Sequence, residues 1–160
     1  MSKVRFYSHY DCSIGKLLLV GDEDGLCRLH FPNEKAKPPQ EARKADGELS
    51  SVRKQLDEYF AGSRKSFDLK LNLKGTPFQK RVWLTLAKIP YGETTSYGEL
   101  AKQVGSPKGA RAVGSANGKN PLPIVLPCHR VIGKDGSLTG FGGGLKVKTA
   151  LLELEDRHKL

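Results

Sequence analysis

The first half of the chain sorts into short stretches by its apolar positions. Val4 to Tyr10 alternates loosely, Ile14 to Val20 is a nearly continuous apolar run, and Leu26 to Phe31 follows the turn-forming Asp22-Glu23-Asp24-Gly25. These predict a β-hairpin with a third strand beside it. From Pro32 to Gly47 the apolar positions thin out among charges and Pro38-Pro39, which predicts an exposed loop. Leu49, Val52, Leu56, Tyr59 and Phe60 then recur at helical spacing, with Gly62 as a stop. Phe67 to Leu73 alternates cleanly and predicts a half-buried strand.

Beyond Gly75 the period changes to that of helices. Thr76 is an N-cap candidate, Pro77 suits the first helical position and Gln79 completes a capping box, so a helix is expected to about Ile89. Phe78, Val82, Leu86 and Ile89 form one stripe with Trp83 beside it, and core packing is the preferred reading of all five. Ser96 to Gly118 has the outline of a helix-turn-helix. Ser96 and Glu99 form a second capping box, Gly105 closes the first helix, and Ser106-Pro107 caps and starts a second helix over 107–116. Leu145 to Leu160 closes the chain as an amphipathic helix. The fold class is therefore α+β. A small sheet-and-helix module over 1–74 carries no chemical motif and serves as a buttress, and a mainly helical domain follows over 75–160.

Composition narrows the partners. The chain has 160 residues, 27 basic against 17 acidic, and a formal charge of +10, which suits a polyanion such as nucleic acid, although lysine-rich surfaces also serve solubility alone. No apolar run is long enough to span a bilayer, and Met1-Ser2-Lys3-Val4-Arg5 leads into the first strand without a signal peptide. A cytosolic protein is expected, or a nuclear one if the source has a nucleus, and nothing demands an oligomer. Cys12, Cys27 and Cys128 are too few for a disulfide framework and fit a reducing compartment. His9 with Cys12 and Cys27 with His30 suggest a zinc site, but residues three apart on a strand point to opposite faces, so no metal is expected.

Candidate chemistry concentrates in Ile124-Val125-Leu126-Pro127-Cys128-His129-Arg130-Val131-Ile132-Gly133. A thiol is a good nucleophile only as thiolate, and a neighbouring imidazole, cationic Arg130 or a helix N-terminus would each lower its pKa from about 8.5 into a range of about 3.5–7.5. The alternative is a cysteine that is merely a small buried hydrophobe. Upstream, the second helix of the helix-turn-helix is built from Gly, Ala and Ser, with Arg111 the long charged residue at its middle. A reader of the major groove normally carries several Arg, Asn or Gln at base-facing positions. This smooth helix suits close, shape-based contact instead; an internal close-packed helix is the other reading. Downstream, Lys134 to Gly144 holds five glycines, a backbone able to approach a planar ligand closely, without the Gly-Lys-Ser/Thr ending of a phosphate loop.

Pro127-Cys128-His129-Arg130-Val131-Ile132 closely resembles the active-site motif of the O6-alkylguanine-DNA alkyltransferases. The resemblance extends through Ser96-Tyr97-Gly98-Glu99-Leu100-Ala101, Gly109-Ala110-Arg111-Ala112-Val113-Gly114 and Asn117-Gly118-Lys119-Asn120-Pro121, and continues in Gly143-Gly144-Leu145 and Leu151-Leu152-Glu153-Leu154-Glu155. It covers Thr76 to Glu155 without an obvious gap. Some relatives carry a structural zinc near the N-terminus, but their ligand positions do not line up with His9, Cys12, Cys27 and His30.

The resemblance implies repair of double-stranded DNA by transfer of the alkyl group of O6-alkylguanine, and of O4-alkylthymine, to Cys128. His129 would take the thiol proton through a water, Glu155 would orient the imidazole, and Tyr97 would polarise the base at N3. The thioether formed is not hydrolysed, so each molecule would act once, as a monomer and without a cofactor. The lesion must leave the stack. Arg111 would fill its place from the minor groove, with Ser96, Tyr97, Ala110, Gly114 and Ser115 also meeting DNA. Asn120 would hold the turn before the cysteine. Pro123, the carbonyls of Cys128 and Val131, and the amide of Gly142 would line the pocket, where many relatives have Ser in place of Gly142. Two rivals remain: a helix-turn-helix regulator with an alkylation-sensing cysteine, and a cysteine hydrolase. Relatives that bind lesions without repairing them lack the cysteine.

Overall fold

A computed structural model describes residues 4–136, 141 and 143–159. The chain divides into two compact units, 1–73 and 74–160. The architecture is the mixed α+β one expected, a sheet followed by a largely helical part.

In the first unit β1 (Arg5–Cys12) and β2 (Gly15–Asp22) form an antiparallel hairpin, and β3 (Gly25–His30) pairs antiparallel with β2. The expected exposed loop over 32–47 is corrected in part. It contains a 3₁₀ turn at Pro32–Glu34 and a two-residue strand, β4 (Arg43–Lys44), which pairs parallel with β1, giving the order β3-β2-β1-β4. Two residues are too few to carry a legible alternation. Helix α1 (Ser50–Phe60) buries Val52, Leu56 and Tyr59, and Asp57 on it accepts a hydrogen bond from Tyr10 of β1 at 2.6 Å.

Phe67 to Leu73 is not a strand. Residues 67–70 do alternate in exposure, but only Leu71 bridges to Leu26, through Leu26 N–H to the Lys70 carbonyl (2.9 Å) and Asn72 N–H to the Leu26 carbonyl (2.8 Å). Alternation sets which side chains face inward, whereas a strand also needs a continuous partner edge.

In the second unit α2 (Pro77–Leu86) starts as expected. Thr76 Oγ1 accepts from Gln79 N–H and Thr76 N–H donates to Gln79 Oε1, each at 3.0 Å. It ends one turn before Ile89, which is nonetheless buried. Helix α3 (Tyr97–Gln103) follows the short strand β5 (Thr95–Ser96). Only half of the second capping box forms. Ser96 Oγ accepts from Glu99 N–H at 3.1 Å, while the Glu99 carboxylate lies 3.2 Å from Lys102 Nζ. Gly105 takes the left-handed conformation (φ 80°) that ends the α3 segment.

Helix α4 (Ala110–Gly118) begins three residues later than expected. Ser106 does not cap it; its carbonyl accepts from Gly109 N–H at 2.8 Å, closing a separate turn around Pro107-Lys108. Helices α2, α3 and α4 pack together, and Trp83 of α2 donates from Nε1 to the Ala116 carbonyl at 2.8 Å, tying α4 down from inside.

Candidate active site

The apolar run before the cysteine is not a strand either. Leu122, Ile124, Val125 and Leu126 are all buried, but they coil, with Leu126 N–H donating to the Leu122 carbonyl at 2.8 Å and Ile124 held at φ 75°. Asn120 braces this coil from both sides. Its Nδ2 donates to the Leu126 carbonyl (2.7 Å) and its Oδ1 accepts from Leu122 N–H (2.9 Å). Asn120 thus braces the turn before the cysteine, and its amide also favours the ionised form of the Cys128 thiol.

Cys128–Arg130 forms a single 3₁₀ turn. It leads into β6 (Val131–Ile132), parallel to β5, which sets Val131 beside Thr95 and Ile132 beside Ser96. Helix α5 (Leu145–His158) lies against the turn. His129 and Arg130 both reach Glu155 of α5: His129 Nε2 lies 2.6 Å from Oε2, and Arg130 grips the carboxylate in two places, Nε to Oε1 at 2.8 Å and Nη2 to Oε2 at 3.0 Å. Gly92 N–H supplies a further bond to Oε1 at 3.1 Å. Arg130 is itself fixed by the Ile89 carbonyl (2.6 Å) and by the Tyr91 ring beneath its guanidinium.

Burial alone would push the Glu155 carboxyl up, but hydrogen bonds from His129 and Arg130, with the charge of Arg130, outweigh it and hold it down at about 2. An ionised carboxylate only accepts, so Nε2 of His129 carries the proton it donates. Nδ1 is then an acceptor, and it is buried with no hydrogen-bond partner among the described residues. Burial also lowers the pKa of His129 against the opposing pull of Glu155, so the imidazole rests neutral.

The thiol behaves opposite to expectation. Burial pushes Cys128 up to about 11, against smaller lowering effects of Asn120 and Lys148. Arg130 is committed to Glu155, and a three-residue 3₁₀ turn has little dipole to offer. The resting site therefore holds a thiol beside a neutral base.

Among the other residues singled out by sequence, Val131, directly after this turn, and Pro123, in the coil before it, are both buried. Tyr97, half-buried, opens α3 and lies over Gly114 of α4, where an added Cβ would stand 3.6 Å from its ring. Arg111 and Ser115 lie on the exposed face of α4, with Ala110 and Gly114 partly covered. Gly142 lies outside the described residues. Sequence reasoning missed Gly92, the role of Arg130, and Lys148, whose Nζ donates to the Val131 carbonyl at 2.8 Å. Only Lys148 had a legible signal: it precedes Glu155 by seven residues, two helical turns, on the same face.

Residues 5–73 match the family model for the 6-O-methylguanine DNA methyltransferase ribonuclease-like domain, and residues 77–157 match that for the DNA binding domain of the same family. A methylated-DNA–protein-cysteine methyltransferase of Methanosarcina acetivorans is 49% identical over 152 residues, covering 94% of this chain and 97% of that protein. The constitutive enzyme of Bacillus subtilis is 45% identical over 158 residues, covering 95% and 96%. Among solved structures, Mycobacterium tuberculosis OGT in complex with DNA superposes with a TM-score of 0.89 at 49% identity, covering 96% of this chain and 94% of that one. With both halves matched and relatives this similar along nearly its whole length, the chain belongs to the methylated-DNA–protein-cysteine methyltransferase family of DNA-repair proteins.

Proposed function

We propose that the protein removes the alkyl group from O6-alkylguanine in double-stranded DNA, and from O4-alkylthymine, by a single irreversible transfer to Cys128. The observation that carries this reading is the buried His129, with Nε2 on the Glu155 carboxylate and Nδ1 left as an acceptor beside the residue that bears the thiol. This is the order nucleophile, base, orienter. His129 Nδ1 takes the thiol proton through a water as the sulfur attacks the alkyl carbon. The new S–C bond forms as the C–O6 bond breaks, and the electron pair of that bond goes to O6. Guanine leaves poorly as an anion, and Tyr97 assists it through N3. The base, having lost its alkyl group, ends with the proton the thiol gave up. The electrophile is the lesion itself, so the transfer draws on no cofactor.

DNA docks through its minor groove on the exposed face of α4, where Arg111 stands between small residues, with Ser96, Tyr97, Ala110, Gly114 and Ser115 around it. Arg111 replaces the extruded nucleotide in the stack. Pro123, the carbonyls of Cys128 and Val131 and the Gly142 amide receive the base. The second unit performs docking and transfer and the first serves as a buttress. The protein acts as a monomer in the cytoplasm, or in the nucleus where there is one.

The test is incubation with DNA labelled in the methyl group of O6-methylguanine, followed by intact-mass measurement and peptide mapping. One methyl per molecule, on the Cys128 peptide, is the expected result, with Cys128→Ser binding DNA but gaining no mass. Repeated turnover would point to a hydrolase, no transfer to a regulator, and a label on Cys12 or Cys27 to a different acceptor.

A further inference from the structure

The two oxygens of Glu155 face different segments. Oε2 takes the Nε2 proton of His129 (2.6 Å) and one nitrogen of Arg130, Nη2 (3.0 Å). Oε1 takes the other, Nε (2.8 Å), and the N–H of Gly92 (3.1 Å). The terminal torsion of a glutamate side chain is soft, so α5 by itself does not decide which way the carboxylate is turned. Arg130 does not decide it independently, because it leaves the same 3₁₀ turn as His129 and would move with it. A fixed orientation needs a reference on a third segment, and Gly92 stands on one.

Pro90-Tyr91-Gly92-Glu93, between α2 and β5, is a turn closed by Glu93 N–H donating to the Pro90 carbonyl at 3.1 Å. Gly92 holds φ 79°, the left-handed value that a type II turn requires at this position and that glycine adopts without strain. Its own N–H is not used in closing the turn and goes to Glu155 Oε1. Space enforces the same choice of residue, since a Cβ on Gly92 would stand 2.5 Å from the Cβ of Lys159, the residue that follows α5. The same stretch also holds the guanidinium: the Ile89 carbonyl accepts from Arg130 Nη1 at 2.6 Å, and the Tyr91 ring centre lies 5.6 Å from the guanidinium carbon. Ile89, Tyr91 and Gly92 thus anchor both members of the ion pair that orients His129.

We propose that Gly92 is a positioning residue of the alkyl transfer: its N–H, aimed by the left-handed turn, fixes the rotation of the Glu155 carboxylate, so that Oε2 stays on His129 Nε2 and Nδ1 is kept as the acceptor for the thiol proton. This rests on the alkyl-transfer reading above. Gly92 acts through Glu155 and takes no part in the bonds that form and break.

The test compares the wild-type protein with Gly92→Ala and with a semisynthetic full-length chain in which the Tyr91–Gly92 amide is replaced by an ester, which deletes only the N–H. Two quantities are read: the single-turnover rate of methyl transfer from O6-methylguanine in duplex DNA at saturating protein, and the nuclear magnetic resonance signal of the His129 Nε2–H proton, which complete burial shields from exchange with water. Both altered proteins are expected to transfer more slowly by roughly tenfold, the equivalent of one hydrogen bond to a charged group, and to shift or broaden the His129 signal. Should Gly92→Ala not fold, the ester decides, because it adds no side chain and leaves φ unstrained. Transfer at the wild-type rate in a folded variant would overturn the proposal, as would a loss confined to DNA affinity. Slowed transfer with the His129 signal unmoved would overturn it too, since a turn that serves stability alone leaves the imidazole as it was. Wild-type protein that shows the His129 signal but takes no methyl from O6-methylguanine DNA would instead overturn the alkyl-transfer reading, and the proposal with it.

Discussion

Glu155 keeps its charge where an isolated carboxyl would lose it, and that links the stability of the fold to acid. Its folded pKa lies below the ordinary value of 4.5, at about 2. The stability it contributes is therefore complete above 4.5 and is lost as pH falls toward 2, a loss of roughly 3 kcal/mol at about 1.4 kcal/mol per pH unit. His129 acts in the same direction. Its folded pKa is depressed below 6.5, so the unfolded chain binds its proton first and acid begins to destabilise the fold below that value. Glu155→Gln should remove the more acidic of these two limbs and destabilise the protein at neutral pH by about 3–5 kcal/mol, since Arg130 would be left buried without its counter-charge. Urea unfolding across pH measures both; an unchanged acid limb in the variant would assign that titration to another group. The pairing of His129 with Glu155 was legible from the family-like motif. The raised thiol pKa was not, because neighbours in sequence say nothing about how deeply Cys128 is buried.

At the scale of elements, local signals succeeded where the backbone needed nothing from afar. Thr76, Pro77 and Gln79 specify the start of α2 by themselves, and the reciprocal bonds are present. Ser106-Pro107 reads equally well as a helix start, yet Gly109 interposes a turn and α4 begins at Ala110. Phe67 to Leu73 has the right period but pairs only through Leu71. The late start of α4 leaves Arg111 in its first turn, on the exposed face, which sharpens its expected role. Arg111→Ala should reduce repair of O6-methylguanine in duplex DNA far more than transfer from the free base O6-benzylguanine, because only the duplex substrate requires a nucleotide to be extruded and its place filled. Single-turnover rates on the two substrates measure this, and equal losses would show that Arg111 serves the pocket.

For the whole molecule, the excess of basic residues and a smooth docking helix together predict binding through phosphates. Affinity should fall steeply with salt and vary little among unmodified sequences, as a salt titration of duplex binding would show; a strong preference for one unmodified sequence would favour the regulator. Alkylation should also weaken the fold. Cys128 is only 6% exposed, so a group added to its sulfur must displace packed neighbours. Overpacking of that kind costs about 1–3 kcal/mol against a total of about 5–15 kcal/mol, and more for a larger group. The resting residue is a thiol, so strain alone, without loss of a charge, has to account for the effect. Thermal unfolding of unmodified, methylated and benzylated protein checks it, and unchanged midpoints in both alkylated forms would show that the pocket holds its product without strain. By itself, the sequence determined the α+β class, the hairpin, the helices with strong apolar periodicity and the cysteine-histidine pair, since each depends on residues close together in the chain. Only the tertiary structure decided that α5 sets Glu155 on His129 and Arg130 and Lys148 on the Val131 carbonyl that follows the turn, that Gly92 and Arg130 complete the carboxylate's hydrogen bonds, and that burial keeps the thiol protonated. Those outcomes depend on desolvation and on contacts across as many as 63 positions of chain, which no local pattern encodes.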